Sequence, residues 1–137
     1  MTDADAELTE QAHASMPLAA TLGLEVVAAT PEEVHLRLEH QDRLCTAGGI
    51  LHGGALMALG DTAGAYSAFL NLPDGATGTA TIESKTNFFR AVRDGHVDAI
   101  SRVLHSGRTT IVVETDLRDA EGRHVARVTQ TQAVLTP

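Results

Sequence analysis

The chain has a single cysteine, Cys45, no tryptophan, one tyrosine and three phenylalanines among its 137 residues. One cysteine rules out an internal disulfide and fits a reducing, cytoplasmic setting. So few aromatics provide no platform on which bases could stack, which counts against nucleic acid as a partner. No apolar run approaches the roughly 18 residues that a membrane span needs. The opening MTDADAELTEQAHASM also lacks the basic and apolar regions of a secretion signal. The length is that of one domain, enough for a real core and too short for two.

Positive charge is missing from the first quarter. Residues 1–36 carry seven acids and neither Lys nor Arg, whereas residues 37–137 hold ten bases and eleven acids and are nearly neutral. That balance repels a polyanion or an anionic membrane, and leaves room for a small anionic ligand held by a few arginines.

Several chemistries lack their residues. The seven histidines show no HxH, HExxH or Cys/His spacing, so no metal is expected. There is no GxSxG elbow and no Gly-rich phosphate loop. Cys45, beside Thr46, has no evident His–Asx partner in the sequence and reads as a small buried residue. No cofactor is expected.

What is present divides simply. Residues 5–16 read as a short acidic helix ended by Pro17, an N-terminal segment (1–16) ahead of one domain (17–137). Leu24–Ala29 and Val34–Glu39 read as strands around the turn Thr30-Pro31-Glu32-Glu33. The second alternates strictly, so one of its faces is buried. Gly53–Leu70 is the one long helix, with apolar residues at three- and four-residue spacing. Glycines inside a helix each cost about 1 kcal/mol against Ala, so Gly60 and Gly64 imply close packing on a sheet. Thr79–Arg90, Val97–His105, Thr109–Arg118 and His124–Leu135 read as strands joined by turns at Ser106-Gly107-Arg108 and Asp119–Gly122. The layout is α+β: one antiparallel sheet packed on one central helix.

Asp61 is the only Asp, Glu, Lys or Arg between Arg43 and Asp74, in an otherwise apolar, small-residue run. A carboxylate there is costly unless something uses or neutralises it. Nine residues earlier the run opens with His52-Gly53-Gly54. A glycine pair at a helix start leaves free backbone N–H groups at the positive end of the helix, which favour an anion. An oxyanion site and a base together imply an enzyme. Asp61 lies eight residues after Gly53, about 12 Å along the axis, too far for both to serve one carbonyl within one chain. The site is therefore expected between two protomers, with Gly53 from one and Asp61 from the other.

Leu51-His52-Gly53-Gly54 before a long helix, Asp61 on that helix, Asn87-Phe88-Phe89-Arg90 on the next strand, Gly107-Arg108-Thr109 in a hairpin, and Asp119…Gly122…Ala126 form an ordered set. This set resembles hotdog-fold thioesterases of the 4-hydroxybenzoyl-CoA thioesterase superfamily, on the phenylacetic-acid-pathway (PaaI-like) side, over about residues 17–135. The resemblance implies a hotdog fold, a homodimer or homotetramer, and an acyl-CoA substrate hydrolysed to free acid and CoA. It implies that Gly53 N–H is the oxyanion donor, and that Asp61 is general base or nucleophile. His52 positions the loop or the substrate carbonyl, or only closes the turn, and Gly54 is the lesser candidate donor.

Further roles follow from the same likeness. Family members carry Asn or Gln six residues before the HGG histidine, where it holds substrate or loop; here that position is Thr46, which lacks an amide's two donors. Thr81, with Thr79 as fallback, matches a hydroxyl that orients the attacking water. Arg90 matches a base facing the CoA phosphates, with Arg93, Arg108, Arg43 and Lys85 as other candidates. The proline-rich loop of hotdog dehydratases is absent. Two functions remain open at this point: an acyl-CoA thioesterase, favoured by Asp61, and a non-catalytic acyl-CoA-binding hotdog module, for which Thr46 leaves room.

Overall fold

A computed structural model describes residues 2–137. Helices α1 (Ala6–Ser15) and α2 (Pro17–Leu22) lead into strands β1 (Glu25–Ala29) and β2 (Val34–Glu39). A loop with two short 3₁₀ turns then reaches helix α3 (Gly53–Phe69), which is followed by β3 (Gly78–Phe88), β4 (His96–Ser106), β5 (Thr110–Asp119) and β6 (His124–Leu135). The six strands form one antiparallel sheet in the order β1-β2-β4-β5-β6-β3. This is the hotdog fold: a long helix lying in the curve of a single sheet.

The core is where helix and sheet meet. Leu56, Leu59 and Ala63 of α3 pack with Leu36 and Leu38 of β2, Val97 and Ala99 of β4, Leu117 of β5 and Val128 of β6. A smaller cluster of Ala68, Ile111 and Val113 closes the far end. The helix glycines serve close packing: a Cβ on Gly60 would stand 2.6 Å from Val128 Cγ2, and one on Gly64 would stand 2.2 Å from Gln130 Oε1. Side-chain volume that Val128 and Gln130 supply is what the helix gives up at these two positions.

Three differences from the sequence reading have plain causes. Pro17 does not simply end α1; it occupies the first position of α2, where its missing N–H costs nothing. The outward-facing Arg37 of β2 is buried, because Asp98 across the sheet and the Thr2 carbonyl take its guanidinium. Strand β3 ends at Phe88, after which Phe89 and Arg90 both donate to the Val125 carbonyl and the chain leaves the ladder.

Helix α1 is stitched to β1 at one edge of the sheet. Asp5 N–H donates to the Val26 carbonyl, the ring of His13 stands 2.6 Å from the Leu24 carbonyl, and Ala12 enters the core. The other edge is β3, eleven residues long, paired only to β6 and exposed along most of its length.

Candidate active site

The start of α3 is held by an anchored loop. Cys45 and Leu51 form an isolated bridge, Thr46 N–H donates to the Ile50 carbonyl, and Leu51 N–H donates to the Val92 carbonyl. Between them Gly48 and Gly49 take φ of 82° and 73°, a region that glycine enters without strain. His52 N–H closes the loop on the Leu44 carbonyl. The exposed Thr46 thus lies on the loop that delivers His52 and Gly53.

His52 is the N-cap of α3, and its Nδ1 accepts the Gly54 N–H at 2.7 Å. Because Nδ1 accepts, a neutral ring carries its proton on Nε2. The Ala55 and Leu56 N–H groups both reach the His52 carbonyl. Among the described residues, the Gly53 N–H has no acceptor. Gly54, the other candidate donor, is spent on the cap. Phe88 walls this end: its ring would lie 3.3 Å from a Cβ on Gly53. Only glycine leaves that approach open.

Asp61 stands on α3 beside β6. Its Oδ1 accepts from Gln130 Nε2 at 2.9 Å. The second N–H of that amide points to Ser84 Oγ at 3.4 Å, and Gln130 Oε1 accepts from Gln132 Nε2 at 3.2 Å. Gln132 Nε2 also donates to Thr81 Oγ1 at 2.8 Å. The direction of this relay follows from its end: a carboxylate only accepts, so Gln130 must turn its NH2 to Asp61, and its carbonyl must face Gln132. A bulge between Thr81 and Glu83 brings Thr81 and Ser84, three residues apart, to the helix-facing side together.

The segment around Asp61 is apolar in sequence, yet in the single chain Asp61 itself is exposed, because it sits at the border between α3 and the uncovered edge strand. Desolvation nevertheless raises its carboxyl pKa above the ordinary value, and the Gln130 hydrogen bond offsets this only in part. That is the direction a carboxylate serving as a base near neutral pH requires.

Arg90 is exposed and lines an open cleft of about 400 Å³ with Val92, Arg93, Asp119 and Arg123. Arg123 is taken by Asp119 and Glu121, whereas Arg90 and Arg93 form no ion pair among the described residues. The cleft borders the start of α3, since Val92 is bonded to Leu51. Arg43 is engaged by Gln41 and the Thr21 carbonyl instead. No group of three or more His, Cys, Asp or Glu among the described residues is arranged to hold a metal ion. No described helix is long and apolar enough to cross a membrane.

The candidate residues therefore fall into two separate groups. One joins His52, Gly53, Gly54, Phe88 and the Arg90 cleft; the other joins Asp61, Gln130, Gln132, Thr81 and Ser84. Gln130, Gln132 and Ser84, which the structure brings together at Asp61, were not legible from the sequence. In Val128-Thr129-Gln130-Thr131-Gln132 both alternating sets are polar after Val128, so periodicity does not reveal which one is buried. The only available signal was Gly64, whose space Gln130 fills.

Residues 48–126 match the sequence profile of the Thioesterase superfamily. The ComA2 protein of Bacillus subtilis is 36% identical over 115 residues, covering 83% of this chain and 90% of ComA2. The proofreading thioesterase EntH of Cronobacter turicensis is 30% identical over 114 residues, covering 83% of this chain and 82% of EntH. Among solved structures, thioesterase HI1161 of Haemophilus influenzae superposes with a TM-score of 0.86 at 26% identity, covering 94% of this chain and 88% of that one.

Proposed function

The chain belongs to the Thioesterase superfamily and is a thioester hydrolase, and from that premise we propose that it hydrolyses an acyl-CoA to free acid and CoA at sites shared by two protomers. Within the superfamily we place it on the phenylacetic-acid-pathway side, on the acid that follows HGG along α3. The observation that carries the reading is the pair of complementary half-sites: an unengaged Gly53 N–H at the positive end of α3, and a carboxylate with raised pKa two turns further on.

The steps follow from these groups. The thioester carbonyl oxygen meets Gly53 N–H, which stabilises the charge that develops on attack without reorganising. A water held by Asp61 of the neighbouring protomer attacks the carbonyl carbon and gives its proton to the carboxylate. The oxyanion collapses, the C–S bond breaks, and the thiolate leaves and takes up a proton. In the covalent variant, the Asp61 carboxylate attacks first and displaces the thiolate, and water then cleaves the mixed anhydride. His52 fixes the loop, and Thr46 and Thr81 stand ready to position acyl group and water. Arg90, with Arg93, faces the CoA phosphates.

The uncovered edge of β3 supports a shared site. The strand offers an unpaired backbone edge, and Met57, Ile82 and Phe88 lie exposed on or near it at 44%, 63% and 50%. An edge of that length with apolar neighbours is a template for pairing. A dimer, or a dimer of dimers, built there would cover Asp61. Residues 17–137 are the thioesterase unit in this reading and residues 1–16 an acidic N-terminal segment, of which α1 lies against β1. The free thiol of Cys45 favours the cytoplasm.

The test is free-thiol release from acyl-CoAs, short to long and aryl, by the wild type beside Asp61→Ala, with the oligomeric state measured in parallel. Turnover of at least one thioester should fall ~10²-fold or more in the variant. Binding without turnover in the wild type, or a fully active monomer, would overturn the proposal.

A further inference from the structure

We propose that Gln130 is a positioning residue for the reaction: its amide, lodged against the helix at Gly64, fixes Oδ1 of Asp61 and leaves Oδ2 as the oxygen that meets water or thioester. This rests on the reading of Asp61 as base or nucleophile.

The helix-facing positions of β6 run Ala126, Val128, Gln130, Gln132, and the last two are buried at 1% exposure each. A buried amide is unfavourable against an apolar side chain of its size unless every polar atom is bonded. Here both N–H groups of Gln130 find acceptors, Asp61 Oδ1 and Ser84 Oγ, and its Oε1 finds Gln132. Gln132 in turn is tied to Thr81. The helix yields a glycine to admit this amide, since a Cβ on residue 64 would overlap Oε1 at 2.2 Å. Packing alone would be met by Val or Leu beside Ala, so the polar relay and its glycine serve the one group at its end, Asp61.

Position and ionisation are set together. With Oδ1 held, the carboxylate plane is fixed and a single oxygen remains for chemistry. The same donation opposes the desolvation that raises the Asp61 pKa. Among the described residues of its own chain no other titratable group faces the carboxylate, and across the proposed shared site the facing half brings His52, which is unaltered in every variant measured. The helix-facing residues of β6 and those of β5 opposite them (Ile111, Val113, Thr115) carry no charge. Glu83 and Lys85 of β3 flank Ser84 and so point to the other face of the sheet. On α3 the nearest titratable residue is Tyr66, more than one turn away. A shift of the acid limb on changing Gln130 therefore reports the Asp61–Gln130 contact.

The experiment measures kcat and KM from pH 4.5 to 9, on the acyl-CoA that the wild type turns over fastest, for wild type, Gln130→Met and Asp61→Ala. Methionine keeps the volume and removes the donor. The expected result for Gln130→Met is an acid limb of kcat displaced upward by roughly half to one unit. A fall of about tenfold in kcat near pH 6, with KM changed less than twofold, should accompany it. In the wild type, the ¹⁵N-labelled side-chain amide of Gln130 should titrate with the midpoint of that limb, a reading that needs no variant to fold. An unmoved acid limb in Gln130→Met, or an amide signal indifferent to pH, overturns the assignment. Should Asp61→Ala keep its turnover, the role of Asp61 fails instead, a result distinct from either.

Discussion

His52 and Gly54 are joined ring to backbone: Nδ1 accepts the Gly54 N–H at 2.7 Å, and the residue between them, Gly53, is left as the first unengaged donor of helix α3. In the proposed mechanism the histidine of the HGG turn therefore acts on the oxyanion site by occupying the Gly54 N–H. A cap needs only an acceptor, so Asn should replace it where Ala does not. His52→Ala is expected to lose about 1 kcal/mol of stability and most of its turnover. His52→Asn should keep the stability and at least a third of wild-type kcat. Melting curves and thiol release decide; equal loss of turnover in both variants would instead mark His52 as a proton carrier.

Among the described residues, Arg90 and Arg93 are charges without acidic partners beside the helix start, next to an Arg123 already neutralised by Asp119 and Glu121. A guanidinium free of an internal partner is available to a phosphate. Arg90→Ala is therefore expected to raise KM for an acyl-CoA by roughly three- to tenfold, on the scale of one exposed charge contact, with kcat unchanged. The wild-type KM should rise with salt, and more steeply than that of the variant. An unchanged KM removes Arg90 from the CoA site.

The layout was legible because its signals are local. Alternation in Val34–Glu39 and His124–Leu135, turn residues at Gly107 and Gly122, and small residues through α3 placed strands, hairpins and helix to within about two residues. The first half of the site was equally local, since His52, Gly53 and Gly54 are consecutive. The second half was not. Asp61 could be singled out as an isolated charge, but its partner Gln130 lies 69 positions away and looks like any exposed strand glutamine. The exposure of Asp61 also depends on the uncovered edge strand, which only sheet order reveals. The burial of Arg37 was hidden for the same reason: Asp98 and the Thr2 carbonyl, which take its guanidinium, are not near it in sequence.

Gly60 tests the claim that the helix is slim for the sheet's sake. A methyl there would stand 2.6 Å from Cγ2 of Val128, a stiff β-branched side chain wholly buried. Alanine gains about 1 kcal/mol in helix propensity, while overpacking costs ~1–3 kcal/mol. The balance predicts a net loss of about 1 kcal/mol for Gly60→Ala, the midpoint of a range of ~0–2. Val128→Ala should absorb the added methyl, so the double variant should be more stable than the sum of the single losses. Denaturant titration of the four proteins measures this coupling. A Gly60→Ala variant more stable than wild type would show that contact with β6 is not the reason for the glycine.

Away from the site, Asp98 of β4 gathers three basic side chains. Oδ1 takes His35 Nε2 at 2.9 Å and Arg37 Nε at 2.7 Å, and Oδ2 lies 3.2 Å from His96 Nε2. Desolvation pushes its pKa up, but the hydrogen bonds from His35 and Arg37 and the charge of Arg37 outweigh it and hold the carboxyl at about 2, below the ordinary 3.8. A depressed carboxylate pKa stabilises the fold wherever the group is ionised in both states. The contribution is whole above pH 3.8, shrinks as pH falls toward 2, and is gone below. From the size of the shift it is roughly 2 kcal/mol. Asp98→Asn should therefore be less stable than wild type by at least that amount at pH 7, because Arg37 is also left buried without its partner. The part due to ionisation should disappear between pH 4 and 2. Unfolding free energies of the two proteins across that range provide the check: a gap that stays constant down to pH 2 would mean that the ionisation of Asp98 contributes nothing.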